Sequence, residues 1–162
     1  MPMIILESIN NLIPIFNWLI RWLKKRKFRN IDLQYIKENA HVLFIDDKSF
    51  DIIDRIREAG WMVDSVKDIK STDDDKVKRS HVIFVDFKGV GKYLSPSEEG
   101  IGLVKNLKKK YPHKRIGFYS AHTEFSLADK YWEIADFILP KNSEPYVFIE
   151  KIEENARITL SS

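Results

Sequence analysis

The chain has 162 residues, of which 44% are hydrophobic and 31% are charged, and it contains no cysteine. This composition is typical of a globular domain that can bury its own core, and the missing cysteines exclude disulfides, thiolate zinc sites and cysteine nucleophiles. The net charge of +3 is uneven, because residues 1–39 hold seven basic and three acidic side chains while the remainder is nearly neutral. A broad nucleic-acid-binding face is therefore not expected on the globular part.

Residues 1–29 are predicted to form an apolar helix with a basic flank. Isoleucine, leucine, phenylalanine and tryptophan dominate up to Leu23, and the basic run 24–29 follows. A narrow polar stripe recurs at steps of three and four residues, as on one side of a helix. Its members are Glu7, Asn10, Pro14, Asn17 and Arg21.

Three interpretations of this N-terminal segment stay open. It could lie on an anionic membrane surface, or it could span a membrane once and leave the rest of the chain in the cytoplasm. It could also pack on its own domain or pair with a second copy. Residues 30–40 are predicted as a linker or short helix. The expected location is the cytoplasm, or the inner face of the cell membrane through residues 3–29.

From residue 41 onward, strand-like and helix-like segments alternate. The predicted strands are 41–46, 61–66, 81–86, 115–120 and 136–140. The predicted helices are 48–59, 71–79, 98–110, 123–135 and 145–160. Gly60 is the expected end of the first of these helices and Ser71 or Thr72 the expected N-cap of the second, and 87–97 is a loop. Such alternation predicts one α/β domain over 41–162, with a parallel sheet covered by helices on both faces.

Polar side chains follow four of the predicted strands at the point where each strand ends. They are Asp46, Asp47, Asp86, Ser120 and Lys141. Because the carboxyl ends of parallel strands open onto one edge of a sheet, these groups are expected to converge. Taken singly, each could be a turn former, a helix cap or a surface lysine. As a set they favour a site, since carboxylates suit Mg²⁺, a carboxylate can accept a phosphoryl group, and a hydroxyl and an ammonium can bind phosphoryl oxygens.

This ordered set makes residues 41–160 resemble the receiver domain of bacterial two-component signalling, the CheY-like family. That family carries an acidic pair after the first strand, a phospho-accepting aspartate after the third, serine or threonine after the fourth and lysine after the fifth. The resemblance implies a doubly wound, five-stranded parallel sheet of order 2-1-3-4-5, here with an N-terminal helical extension. It also implies phosphorylation of Asp86 from a kinase phosphohistidine, with Ser120 and Lys141 as the other catalytic residues. Mg²⁺ would be held by Asp46, Asp47, Asp86 and the backbone carbonyl of Lys88.

The expected function is thus a single-domain response regulator, without enzymatic activity beyond its own phosphorylation and dephosphorylation. Its partners would be a histidine kinase or phosphotransfer protein, a downstream protein on the face formed by 123–160, and a membrane surface or helix bound through 1–29. No nucleic-acid partner is expected.

The chain also departs from the family pattern. The segment after Asp86 is long and lacks an early proline, Asn142 follows Lys141 where proline is usual, and Ile138 stands where the family often has an aromatic residue. These departures keep open a pseudo-receiver that binds proteins without being phosphorylated. A phosphatase of the haloacid-dehalogenase type is less favoured, because no Asp-x-Asp follows the first strand.

Overall fold

The computed structural model describes residues 31–121 and 129–162. The predicted helix of residues 1–29 and part of the predicted helix 123–135 lie outside the described residues. The five strands are β1 (His41–Ile45), β2 (Met62–Val66), β3 (Val82–Asp86), β4 (Arg115–Ser120) and β5 (Ile138–Pro140). The helices are α1 (Leu33–Asn39), α2 (Ile52–Glu58), α3 (Asp75–Arg79), α4 (Gly100–Lys110), α5 (Asp129–Trp132) and α6 (Pro145–Leu160).

The strands form one sheet in the order β2-β1-β3-β4-β5, and every neighbouring pair is parallel. This confirms the predicted fold class, a five-stranded parallel sheet of order 2-1-3-4-5. Parallel neighbours need crossover connections, and helices supply them here. All five strands therefore present their carboxyl ends at the same edge, where the predicted site residues stand.

Side-chain alternation along the strands builds a separate core on each face of the sheet. In β1, Val42 and Phe44 point to one face, where α1, α2 and α6 pack. Leu43 and Ile45 point to the other face, where they meet residues of α3 and α4. Both faces of the central strands are buried, which is why β1 and β3 are continuous apolar runs.

The helices differ from the predicted ones mainly at their starts. The second predicted helix was expected to be capped by Ser71 or Thr72, and this is wrong: α3 begins later, with Asp74 as its N-cap and the Asp74 carboxylate accepting the Lys76 N–H at 2.8 Å. The Ser71 hydroxyl instead accepts the Asp73 N–H in the preceding turn. A carboxylate is a good N-cap because it accepts otherwise unpaired N–H groups of the first helical turn.

The short helix α1 packs against α6 near the chain's described beginning. Ile36 of α1 is fully buried in the core that also holds Ile152 and Ala156 of α6. Arg157 donates a hydrogen bond from Nη1 to the carbonyl oxygen of Ile31. Ile31, the first described residue, therefore lies beside the second half of α6. No helix in the described part of the chain is long and apolar enough to cross a membrane.

Candidate functional site

Strand register brings the acidic residues of β1 and β3 side by side. Phe44 of β1 pairs with Phe84 of β3, so Asp46 and Asp86, each two residues further on, stand at the same level. The alternation that sends Phe44 and Phe84 toward α6 sends both carboxylates toward the same face. Both residues lie at the sheet edge and are mostly buried, Asp46 being 6% exposed as a whole residue and Asp86 9%.

One lysine joins the two carboxylates. The Lys141 ammonium lies 2.7 Å from Oδ2 of Asp46 and 2.8 Å from Oδ2 of Asp86. Its backbone N–H donates to the carbonyl of Ser120 at 2.8 Å, which extends the β4–β5 pairing past the end of β5. Pro140 precedes Lys141, and Asn142 stands where the family usually has proline, yet the ammonium reaches both carboxylates.

The other oxygens of the pair accept backbone hydrogen bonds. Oδ1 of Asp46 accepts the Lys48 N–H at 3.0 Å, and Oδ1 of Asp86 accepts the Phe87 N–H at 2.7 Å. These bonds hold the two carboxylate planes at the strand ends. Because each carboxylate then turns Oδ2 toward Lys141, the ammonium lies between them.

Tyr119 is a site residue that the sequence interpretation missed. Its hydroxyl donates to Oδ2 of Asp46 at 2.7 Å, and the Lys141 ammonium lies 4.8 Å from the centre of its ring. Tyr119 pairs in register with Asp86 and is fully buried. In the sequence it looks like an ordinary core residue of a strand, but a buried phenol needs a hydrogen-bond partner. That requirement is the one feature of the sequence that could have indicated a polar partner for Tyr119.

Asp47 follows Asp46 at the strand end and is half-buried, and its carboxylate lies near those of Asp46 and Asp86. A Cβ built on Gly89 would lie 2.6 Å from Oδ2 of Asp47, and Gly89 has φ of +86°. Both the left-handed backbone and the close approach require glycine at this position. Gly89 thus lets the loop after β3 run directly beside the Asp47 carboxylate.

The pKa values of the two paired carboxylates are shifted in opposite directions. Burial alone would raise the pKa of Asp46, but hydrogen bonds from Lys141, the Lys48 N–H and Tyr119 outweigh it and lower the pKa below 3.8. Burial raises the pKa of Asp86 above 3.8, and the Asp46 charge raises it further, against the lowering effect of Lys141. Burial and the neighbouring Asp46 charge also raise the pKa of Tyr119, so its hydroxyl stays protonated and can donate.

All six residues predicted for the site line one cavity of about 320 Å³. They are Asp46, Asp47, Asp86, Lys88, Ser120 and Lys141. Ser120 is 3% exposed, and Lys88 is exposed in the loop after β3. The structure therefore brings the predicted set together at the sheet edge.

The loop between β3 and α4, residues 87–99, is held by acceptors from two sides. Oδ1 and Oδ2 of Asp68 accept the N–H groups of Gly91 and Lys92 at 2.8 and 2.9 Å, and Oε2 of Glu99 accepts the Gly89 N–H at 2.9 Å. Glu99 itself has φ of +49°, which is uncommon for a residue other than glycine. The extra length of this loop is therefore ordered by specific hydrogen bonds.

The donor set at the cavity fits a hard divalent cation. Asp46, Asp47 and Asp86 each offer a carboxylate oxygen, and these oxygens all lie within 4.8 Å of one another. Mg²⁺ prefers oxygen ligands, takes one or two protein carboxylates and keeps several waters. Three clustered carboxylates with one ammonium also leave a net negative charge that a cation would offset.

Comparison with solved structures identifies the fold of the described residues. A response regulator from Thermotoga maritima aligns with a TM-score of 0.55 at 15% identity, over 73% of this chain and 98% of that one. A CheY-like response regulator receiver domain protein from Methanospirillum hungatei aligns with a TM-score of 0.54 at 20% identity, over 75% of this chain and 96% of that one. The described chain has the receiver fold of response regulators.

A further match is the beryllofluoride-activated NtrC4 receiver domain dimer, with a TM-score of 0.59 at 20% identity over 75% of this chain and 98% of that one. At these identities the likeness concerns the fold. No protein-family profile matches the chain, and no curated protein matches it. A shared fold does not determine activity, which depends on the residues of the site.

Proposed function

We propose that the chain is a receiver module whose Asp86 accepts a phosphoryl group in the presence of Mg²⁺. The observation that carries the proposal is the Lys141 ammonium, held 2.7 Å from Asp46 and 2.8 Å from Asp86 at the sheet edge. A cation fixed beside a carboxylate at this place can bind a phosphoryl oxygen as soon as one arrives. A histidine kinase or phosphotransfer protein would be the phosphoryl donor.

In the proposed step, a carboxylate oxygen of Asp86 attacks phosphorus. The P–N bond of the donor phosphohistidine breaks, its electron pair stays on the imidazole nitrogen, and that nitrogen takes a proton from solvent. The product is an acyl phosphate on Asp86. Asp46, Asp47, Asp86 and the Lys88 carbonyl would hold Mg²⁺, which offsets negative charge on the transferring group.

Two residues of the chain would stabilise the product. The Lys141 ammonium lies 2.8 Å from Asp86, and Ser120 lies in the same cavity at the end of β4. The ammonium pairs with one phosphoryl oxygen and the hydroxyl donates to another. A change of this kind at β4 and β5 would be passed on to a downstream protein through the face built by residues 123–160.

A second candidate is a pseudo-receiver that binds its partner without phosphorylation. The ordered 87–99 loop favours it, because Asp68 and Glu99 already hold that segment. One experiment separates the two candidates. The full chain is incubated with Mg²⁺ and acetyl phosphate or beryllofluoride, then measured by intact mass and by thermal denaturation, with Asp86→Asn as the matched control.

Phosphorylation predicts a mass increase of one phosphoryl group, and beryllofluoride binding predicts a higher melting temperature. Both effects should be absent in Asp86→Asn. If the parent protein gains neither mass nor stability and behaves like Asp86→Asn, the phospho-receiver proposal is wrong and the pseudo-receiver stands.

The same proposal includes a tether through residues 1–29, as the apolar and basic pattern of that segment predicts. One contact in the folded domain supports a tether: Arg157 of α6 donates a hydrogen bond to the carbonyl of Ile31 and so fixes the point where the domain begins. Flotation with anionic liposomes should recover the full chain and leave behind a chain starting at Ile31, which keeps α1 and its contacts with α6. Equal recovery of the two would contradict membrane tethering, and self-association of the full chain alone would assign the segment to a second copy.

A further inference from the structure

Asp46 is held by two different side-chain donors on a single oxygen. Oδ2 accepts from the Lys141 ammonium and from the Tyr119 hydroxyl, each at 2.7 Å. The Asp46 side chain is 4% exposed, so water has little access to that oxygen. Lys141 also serves Asp86, whereas Asp46 is the one hydrogen-bond acceptor observed for the Tyr119 hydroxyl within the described residues.

Phosphorylation of Asp86 would change what Lys141 can do. Acyl phosphate formation removes the charge from the Asp86 carboxylate and adds a doubly charged phosphoryl group further out in the cavity. The ammonium is then drawn away from the plane between the two carboxylates. Asp46 Oδ2 would lose its charged donor at that moment and keep only the Tyr119 hydroxyl among its donors in the described residues. A buried carboxylate oxygen that loses its hydrogen bonds is costly.

Tyr119 is placed to keep a hydrogen bond on Asp46 when Lys141 moves away. Its ring is clamped in the core, edge-on to Phe44 at 5.4 Å and to Phe84 at 6.0 Å, and tilted against Phe50 at 5.6 Å. A ring held on three sides cannot follow Lys141 outward. Its hydroxyl thus stays within reach of Asp46 whatever the ammonium does.

We propose that Tyr119 is a positioning residue for the phosphorylated state: it keeps Asp46 hydrogen-bonded and in place when Lys141 leaves that carboxylate for the phosphoryl group. This inference rests on the proposed receiver function. Tyr119 does not touch the reacting atoms, and it acts through Asp46. Its contribution is expected where Lys141 has moved, and not in the resting protein, where Lys141 still donates to Asp46.

The test compares Tyr119→Phe with the parent in two titrations of the full chain. The first measures Mg²⁺ affinity alone, and the second measures beryllofluoride affinity at saturating Mg²⁺. We expect an unchanged Mg²⁺ affinity and a beryllofluoride affinity weaker by about tenfold, the loss of one hydrogen bond to a charged group. A residue with a merely structural role would weaken both or neither.

Tyr111→Phe is the matched control. The Tyr111 hydroxyl donates to the Thr72 carbonyl at 2.9 Å, so this variant also loses one partly buried phenol hydrogen bond. Gly100, the first residue of α4, lies against the Asp86 backbone. Tyr111 follows the opposite end of the same helix and is therefore remote from the site. We expect parental affinities for both ligands.

The outcomes are distinct. If Tyr119→Phe binds beryllofluoride like the parent, or loses both affinities together, Tyr119 is not a positioning residue and the receiver function is untouched. If the parent itself binds no beryllofluoride, both proposals fall. Should Tyr119→Phe not fold, NMR of tyrosine-labelled parent decides: a solvent-protected Tyr119 hydroxyl that persists after beryllofluoride addition supports the inference, and its loss overturns it.

Discussion

Lys141→Met tests the charge arrangement at the sheet edge most directly. The substitution keeps the length and apolar stem of the side chain and removes the ammonium between Asp46 and Asp86. The side chains of these three residues are 15%, 4% and 12% exposed, respectively, so solvent screens them poorly. Two neighbouring buried carboxylates would then face each other without a cation.

The expected loss of stability follows from these distances. At 2.8 Å and an effective dielectric constant of about 20, one ion pair is worth about 6 kcal/mol of Coulomb energy. The cost of desolvating the charges offsets much of this gain, and removing one partner of a buried pair costs about 3–5 kcal/mol. We therefore expect Lys141→Met to lower the free energy of unfolding by about 3–4 kcal/mol near neutral pH.

The assay is urea denaturation at several pH values, with Lys105→Met as the control. Lys105 pairs with Glu98 at 2.6 Å, but both side chains are nearly half exposed, so its loss should cost less than about 1 kcal/mol. Both variants remove one ammonium from one short ion pair. The difference between them isolates the effect of burial.

The pH dependence has a definite sign. The pKa of Asp86 is already raised above 3.8 in the folded protein, and removing Lys141 raises it further. A raised folded-state pKa means that the folded protein binds the proton more readily than the unfolded chain, so the deficit of Lys141→Met shrinks as pH falls through that raised pKa. A deficit below about 1 kcal/mol, or one that does not change with pH, would refute the assigned charge arrangement.

Three further predictions concern the same region. Asp86→Asn should raise the melting temperature at neutral pH, because burial and the Asp46 charge penalise the ionised carboxylate, and the gain should fade at lower pH; a lower melting temperature at neutral pH would contradict this. Mg²⁺ at a hundredfold excess over its dissociation constant should stabilise the parent by about 2.7 kcal/mol in thermal denaturation, whereas Asp47→Ala should lose most of that gain; equal gains would remove Asp47 from the ligand set. Gly117→Ala should cost about 1–3 kcal/mol in urea denaturation, since its Cβ would lie 2.3 Å from the Phe137 ring, and an unchanged midpoint would show that the ring can move.

Most of the fold could be predicted from local patterns. Apolar runs such as those of β1 and β3 are buried on both faces. Their shortness and the polar residues that end them favour strands over helices. Helix starts were less predictable, because several polar residues near 71–75 could cap α3 and only the chain's path decides among them. Asp74 is the N-cap because its carboxylate accepts the Lys76 N–H.

Site residues at strand ends could likewise be predicted, since parallel topology brings every such residue to one edge regardless of detail. Tyr119 could not, because a tyrosine within an apolar strand has the same signature whether its hydroxyl meets a carboxylate, a carbonyl or water. Its partner depends on the lateral register of β3 and β4 and on the sheet face that Asp46 shares with Phe44. These relations join residues that are 73 positions apart in the chain.

The sequence by itself therefore determined the order of elements, the two-faced parallel sheet and the identity of the charges at its edge. Hydrophobic periodicity and strand-end position are local properties, and they suffice for those conclusions. The tertiary structure decided how the charges are shared: one ammonium serves two carboxylates, one phenol holds Asp46, and Asp68 and Glu99 order the loop beside Asp47. Hydrogen-bond partners are chosen by distances of a few ångströms across separate strands, and those distances exist only once the sheet is assembled.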